Sequence, residues 1–250
     1  MPPLSSSRPW TTCGGLRSRP DPPVCGRFSL SGDVDFYAEY FGVDHVLTES
    51  LDRSWNVAPT DPVYVVAERE EARNLGTMRW GLIPHWAGST KTLNINARIE
   101  TVATTPAFRD SFTKKRCLIP ADGFYEWEPG DKGRNAHWIF RADGYPVGFA
   151  GLWSAWRNPT NHEWTRSCAI LTTAATGIIA GIHNRMPVAL VPEVWEAWLD
   201  RDVTEAEEAM SLIRPIPDDL WMQREVSSKV NSVKNNGPDL LDPPDQIRLL

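Results

Sequence analysis

Runs of apolar and polar residues divide the chain into many short elements. After a capping residue at Asp33, the residues Val34, Tyr37, Ala38 and Phe41 recur at helical spacing and predict a helix within Ser29–Gly42. Asn56–Pro59 reads as a turn, and the β-branched run Val63–Glu68 as a strand. Thr77–Ile83 predicts another strand, closed by Pro84, with a polar, irregular loop over His85–Asn94. Glu100–Phe112 reads as one or two short helices broken by Pro106. Strands are then expected at Cys117–Ile119, Phe124–Glu128, Ala136–Arg141, Val147–Trp153, Trp164–Thr172 and Met186–Val191. Helices follow at Pro192–Leu199 and Thr204–Ile213, then a late strand at Trp221–Val226 and a loose tail from Asp239. Gly, Pro, Asp and Asn punctuate the gaps, as antiparallel connections require. The expected fold class is therefore α+β: a mostly antiparallel sheet, as a sandwich or closed barrel, with flanking helices in a single domain.

Composition narrows the class without changing it. The chain has 250 residues, enough for one sound core. Its 41% hydrophobic and 23% charged residues exclude disorder throughout. No run of eighteen apolar residues is present, so a membrane span is not expected. The net charge of −6 excludes a basic coat over the whole surface, but leaves room for a local basic groove. Cys13, Cys25, Cys117 and Cys168 form no C-x-x-C pair, and the five histidines show no metal spacing. No metal and no cofactor are expected. Without an apolar signal peptide, the cysteines are expected to stay reduced in a cytoplasm.

Residues 1–24 differ from the rest. Six of them are Pro, and Ser, Gly and Arg fill most of the remainder. Such a segment buries too little apolar area to offset its ordering entropy. Three readings stand: a disordered extension, a propeptide, or a translation start misplaced upstream of Val24. The main domain is expected over 25–237, with 238–250 as a C-terminal tail.

Four segments join reactive polar residues to glycine and aromatic neighbours: Cys25–Phe28, Asn94–Thr101, Gly123–Trp127 and Gly181–Pro187. Singly, each is as well explained by ordinary structure. A lone cysteine is a small core residue, Glu126 could be the outward position of an alternating strand, and His183 a loop histidine. Together and in this order, the segments resemble the SOS response-associated peptidases, also called abasic-site processing proteins. Trp55–Pro59, Trp80–Trp86 and Val230–Asn235 extend the resemblance, so that it spans Cys25 to Gly237.

The resemblance implies a nucleophile at Cys25, with Asn96, Glu126 and His183 at the other active-site positions. It places Arg27, Arg98 and Arg185 at DNA-phosphate contacts, and Trp80 and Trp86 near a DNA-facing aromatic loop. The implied partner is single-stranded DNA containing abasic sites, bound covalently by a monomer without metal or membrane. The implied location is a bacterial cytoplasm, on the nucleoid when DNA is bound. The family is also credited with autoproteolytic removal of its leading residues.

The residue types suit that chemistry. An N-terminal cysteine carries an amine and a thiol on adjacent carbons. The amine condenses with the aldehyde of a ring-opened abasic sugar, and the thiol closes the imine to a five-membered thiazolidine. An α-amine titrates near pH 7.7–8.0, so roughly a tenth is unprotonated at neutral pH. Glu126, flanked by Phe124, Tyr125 and Trp127, suits a raised pKa and general acid–base work. Histidine exchanges protons near neutral pH and could open the sugar ring. Asn96 could orient the amine or hold an oxyanion. Arginine forks fit phosphates and aromatic faces fit unstacked bases, and Lys114–Arg116 could extend the basic path. His85 is left outside the site. Two alternatives stay open: a cysteine peptidase or amidase that does not act on DNA, and a non-catalytic single-strand binding module. An internal Cys25 cannot form the thiazolidine, so the identity of the mature N-terminal residue is decisive.

Overall fold

A computed structural model describes residues 25–130 and 133–244; the readings of residues 1–24 lie outside it. The elements begin with β1 (Phe28–Leu30), α1 (Val34–Tyr40), β2 (His45–Val46), β3 (Ser54–Val57), β4 (Pro62–Arg69) and β5 (Ala72–Trp80). They continue with β6 (Asn96–Arg98), α2 (Arg109–Lys114), β7 (Arg116–Ala121), β8 (Gly123–Gly130), β9 (Gly133–Arg141), β10 (Val147–Arg157) and β11 (Trp164–Ala174). The chain then forms β12 (Arg185–Pro187), β13 (Ala189–Leu190), α3 (Trp195–Leu199), α4 (Ala206–Ser211) and β14 (Trp221–Glu225).

Two sheets organise these strands. One is antiparallel, in the order β14-β9-β8-β1-β3. In the other, β11, β10, β7, β4 and β5 follow one another, and β5 pairs back onto β11 through Arg79–Ser167 and Trp80–Cys168. That last pairing closes the strands into a barrel, which removes exposed edges over the paired stretch. The closing pair is parallel, as are β2–β5 and β6–β11; the long ladders are antiparallel. The α+β, mostly antiparallel fold expected from the apolar pattern is the fold observed.

The chain crosses between sheets at Asp122, between β7 and β8. Its carboxylate accepts hydrogen bonds from the Ser29 and Ser31 hydroxyls, the Ser31 amide and the Tyr37 hydroxyl. Gly123 follows because a Cβ there would stand 2.5 Å from the Ile139 carbonyl oxygen. This corner fixes where β8, and hence Glu126, meets β1.

Several elements differ from the sequence expectation for physical reasons. Asn56 lies in β3, not in a turn, because its buried amide donates to the carbonyls of Val230, Ser232 and Asn235. Those partners remove the usual disfavour of Asn in a strand. Glu100–Phe112 is mostly turns, held by threonine hydroxyls donating to the Thr101 carbonyl, with helix only from Arg109. The strand expected over Thr77–Ile83 runs instead over Ala72–Trp80. Nor is the stretch after Asp239 loose at its start: Pro238–Leu241 is a 3-10 turn with Leu240 buried, and the Ser227 amide donates to the Asp242 carbonyl.

Candidate active site

The site is built where β1 enters the antiparallel sheet. Phe28 pairs with Phe124, and the Tyr125 amide donates to the Arg27 carbonyl at 3.0 Å. Continuing that ladder sets Cys25 beside Glu126. The Cys25 backbone N–H donates to Glu126 Oε1 at 2.7 Å, and both residues are buried. Cys25 has φ of +45°, the left-handed region that a non-glycine residue adopts at a cost.

Burial sets the proton affinities of this pair. It raises the Glu126 carboxyl above the usual carboxylate range, against the opposing pull of His183 and of the hydrogen bonds from Cys25. It also pushes the Cys25 thiol well up, and the neighbouring Glu126 adds to that, opposed by Arg185. Cys25 is thus a neutral thiol in hydrogen-bonding reach of a carboxyl whose proton affinity burial raises.

His183 follows the 3-10 turn Gly177–Gly181, where its amide donates to the Ile179 carbonyl at 3.0 Å. The Arg185 amide N–H donates to His183 Nδ1 at 3.1 Å. The Arg185 carbonyl oxygen lies 3.3 Å from the same nitrogen, so the backbone of Arg185 fixes the position of the ring. Asn96 and Arg98 sit on β6, which pairs with β11 at Ile170 and Thr172. The same Thr172 carbonyl accepts from Arg185 Nη2 at 2.7 Å. One stretch of β11 therefore holds Asn96, Arg98 and Arg185 in register.

The proposed DNA-contacting residues separate into internal and exposed groups. Trp80 is fully buried: its indole N–H donates to the Ile95 carbonyl at 3.0 Å, and its ring meets Phe28 edge-on at 4.9 Å. It is a core residue and presents no face to a base, which corrects its assignment to the DNA-facing loop. Arg27 is a brace. Its Nη1 donates to Asn56 Oδ1 at 2.7 Å and to the Val230 carbonyl at 2.9 Å, and its guanidinium lies 5.8 Å from the Trp127 ring centre. Arg185 is engaged by Glu100 through two hydrogen bonds of 2.5 and 3.0 Å, which hold the Glu100 carboxyl below its usual range. A phosphate at Arg185 would compete with that carboxylate. Arg98 is exposed, and so is Trp86 at 58%. The Trp86 loop is anchored by Trp156, whose indole N–H donates to the Ala87 carbonyl at 2.6 Å.

Asn56, Trp127 and Asn231 fall within the motif segments read from the sequence, but their bracing role is visible only in the fold. Trp127 Nε1 donates to Asn231 Oδ1 at 2.6 Å, tying β8 to a segment more than a hundred residues away. Among the described residues, no group of His, Cys, Asp and Glu could hold a metal ion, and no helix is long and apolar enough to cross a membrane.

Comparison with known proteins shows the family and the fold. The family model described as SOS response associated peptidase (SRAP) matches residues 24–233. The abasic site processing protein YoqW of Bacillus subtilis strain 168 is 39% identical over 223 residues, covering 88% of this chain and 99% of the relative. YedK of Escherichia coli K12, described in the same words, is 30% identical, with 88% and 100% covered. A crystal structure from Bordetella bronchiseptica superposes with a TM-score of 0.70 at 27% identity, over 81% of this chain and all of that one. One from Bacteroides thetaiotaomicron, at 23% identity, shares the fold with a TM-score of 0.78, over 88% of this chain and 99% of its own. The chain belongs to the SOS response-associated peptidase family.

Proposed function

We propose that this protein processes abasic sites in single-stranded DNA by coupling to them covalently through Cys25. The observation that carries the reading is the 2.7 Å hydrogen bond between the Cys25 nitrogen and Glu126, inside a buried site. The relatives' descriptions as abasic site processing proteins point the same way.

In the proposed sequence the Cys25 α-amine adds to the sugar aldehyde. Glu126, whose proton affinity burial raises, gives a proton to the departing hydroxyl as water leaves and the imine forms. The resulting carboxylate takes the thiol proton as Sγ adds to the imine carbon. The product is a thiazolidine, and Glu126 ends as it began. A thiol held neutral suits this order, because the amine attacks first and the sulfur needs activation only afterwards. The His183 imidazole serves the sugar ring oxygen, and Asn96 orients the reacting amine.

The amine must first be freed. In the proposed autoproteolysis, Cys25 Sγ attacks the Val24 carbonyl carbon. Glu126 gives its proton to the departing Cys25 nitrogen and takes up the proton released by the attacking thiol, and water then hydrolyses the thioester to a Val24 carboxylate and a free thiol. The strained φ of Cys25 lies at this bond and favours its opening. The same result follows if translation starts at Val24 and the initiating residue is removed.

The reading of a general cysteine peptidase fares worse. Such enzymes depress the pKa of their nucleophile, whereas Cys25 is pushed the other way.

The test is to sequence the N-terminus of the active protein, then incubate it with an oligonucleotide whose uracil has been excised by a glycosylase. A heat-stable shifted band is expected from protein that begins at Cys25, and none from Cys25→Ser. Active protein that retains Met1–Val24 would overturn the mechanism.

A further inference from the structure

A cavity of about 400 Å³ opens at the end of the barrel where β5 and β11 diverge. Its volume lies within the range of small-molecule sites. Val65, Met78 and Trp153 supply apolar lining. Gly76 lies mid-strand on β5, paired with Val65. A Cβ placed there would meet nothing within 4 Å. Glycine inside a strand forfeits packing, and it often marks the close approach of a ligand or of another backbone. Here no protein atom fills the space.

Charge at the rim is uneven. Arg69 pairs with Glu70 at 2.9 Å, and Arg201 lies in the field of Glu68. Arg166, on β11, has neither an ion pair nor a side-chain hydrogen bond among the described residues. Thr172, where Arg185 is tied, lies about 20 Å farther along the same strand at the usual rise per residue. The cavity is therefore separate from the Cys25 site.

We infer that this barrel mouth is a second binding site, for a small planar anion. The ring lies against Trp153 and Met78 over Gly76, and the carboxylate, sulfonate or phosphate meets Arg166. The arginine fork fits such a group, and an aromatic floor favours a flat ring.

Fluorescence titration of the full chain with 1-anilinonaphthalene-8-sulfonate tests this. Saturable one-to-one binding is expected. Gly76→Leu, which fills the open space, and Arg166→Gln, which removes the charge, should each weaken it at least about ten-fold. Cys25-dependent crosslinking should be unchanged in Gly76→Leu, showing that the fold is intact; if that variant does not fold, Arg166→Gln decides alone. Displacement of the dye by deoxyadenosine monophosphate or by indole-3-acetate supports the class and tells phosphate from carboxylate. Equal displacement by adenosine or indole, binding that does not saturate, or binding indifferent to both substitutions would overturn it.

Discussion

Glu126 is the residue whose protonation links stability to chemistry. Its folded pKa is raised, so the native state binds this proton more tightly than the unfolded chain does. Stability from this group is therefore greatest at acidic pH and falls as pH rises through the window between the ordinary and the raised values. Glu126→Gln keeps an oxygen for the Cys25 amide and removes the titration. In a melting series from about pH 4 to pH 8, the variant should lack that decline and should exceed the parent at the alkaline end. Its crosslinking rate should fall by about 100-fold, the scale of lost general acid catalysis. Cys25, Glu126 and His183 stood out in the sequence only through the order of several motifs taken together, because each alone reads as an ordinary core cysteine, strand glutamate or loop histidine. The roles of Arg27 and Arg185 were not legible, because their partners Val230 and Glu100 lie far off in the chain. Only the register of the strands brings them together.

At the scale of elements, Asn56 fastens β3 to the segment 230–235. It offers its amide to three carbonyls and its oxygen to Arg27. Asn56→Ala leaves several buried polar groups without partners, a cost of about 3 kcal/mol. For a domain of this size, that corresponds to a melting point lower by roughly 6–12 °C. Limited proteolysis should then cut within 230–236 before it cuts elsewhere. The two tryptophans of the Trp80–Trp86 stretch should part ways. Trp80→Ala empties a packed core position, at about 3–5 kcal/mol, whereas Trp86→Ala should leave the melting point unchanged. Trp86→Ala should instead weaken single-strand binding by about 1–3 kcal/mol, the worth of one stacked base. Periodicity located most strands but could not separate these two residues. Both stand in an aromatic-rich segment, and only the closure of β5 onto β11 buries one of them. Asn56 was misread for a related reason: asparagine beside Pro59 has the composition of a turn, and its strand partners lie on β1, far away in sequence.

For the whole molecule, the tension is between a net charge of −6 and an anionic partner. The distribution of charge resolves it. Glu68, Glu71, Glu193, Glu196 and Asp200 line one depression at the far end of β4. Trp80, at the opposite end of the β4–β5 hairpin, packs under Phe28 and so under the Cys25 site. The acidic groups thus face away from the proposed DNA path, and their field orients an approaching strand toward the other end. Because Arg27 and Arg185 are engaged internally, phosphate contacts fall to other basic side chains, and the exposed Arg98 is the candidate to test. The logarithm of single-strand affinity should fall with the logarithm of salt by a slope of about −0.7 for each phosphate met. Arg98→Ala should make that slope shallower by about 0.7, the share of one phosphate on a single strand. Glu193→Gln with Glu196→Gln should leave the slope unchanged, since those groups touch no phosphate. Fluorescence anisotropy across a salt series measures all three. A slope indifferent to Arg98 would mean that the strand lies across a different surface.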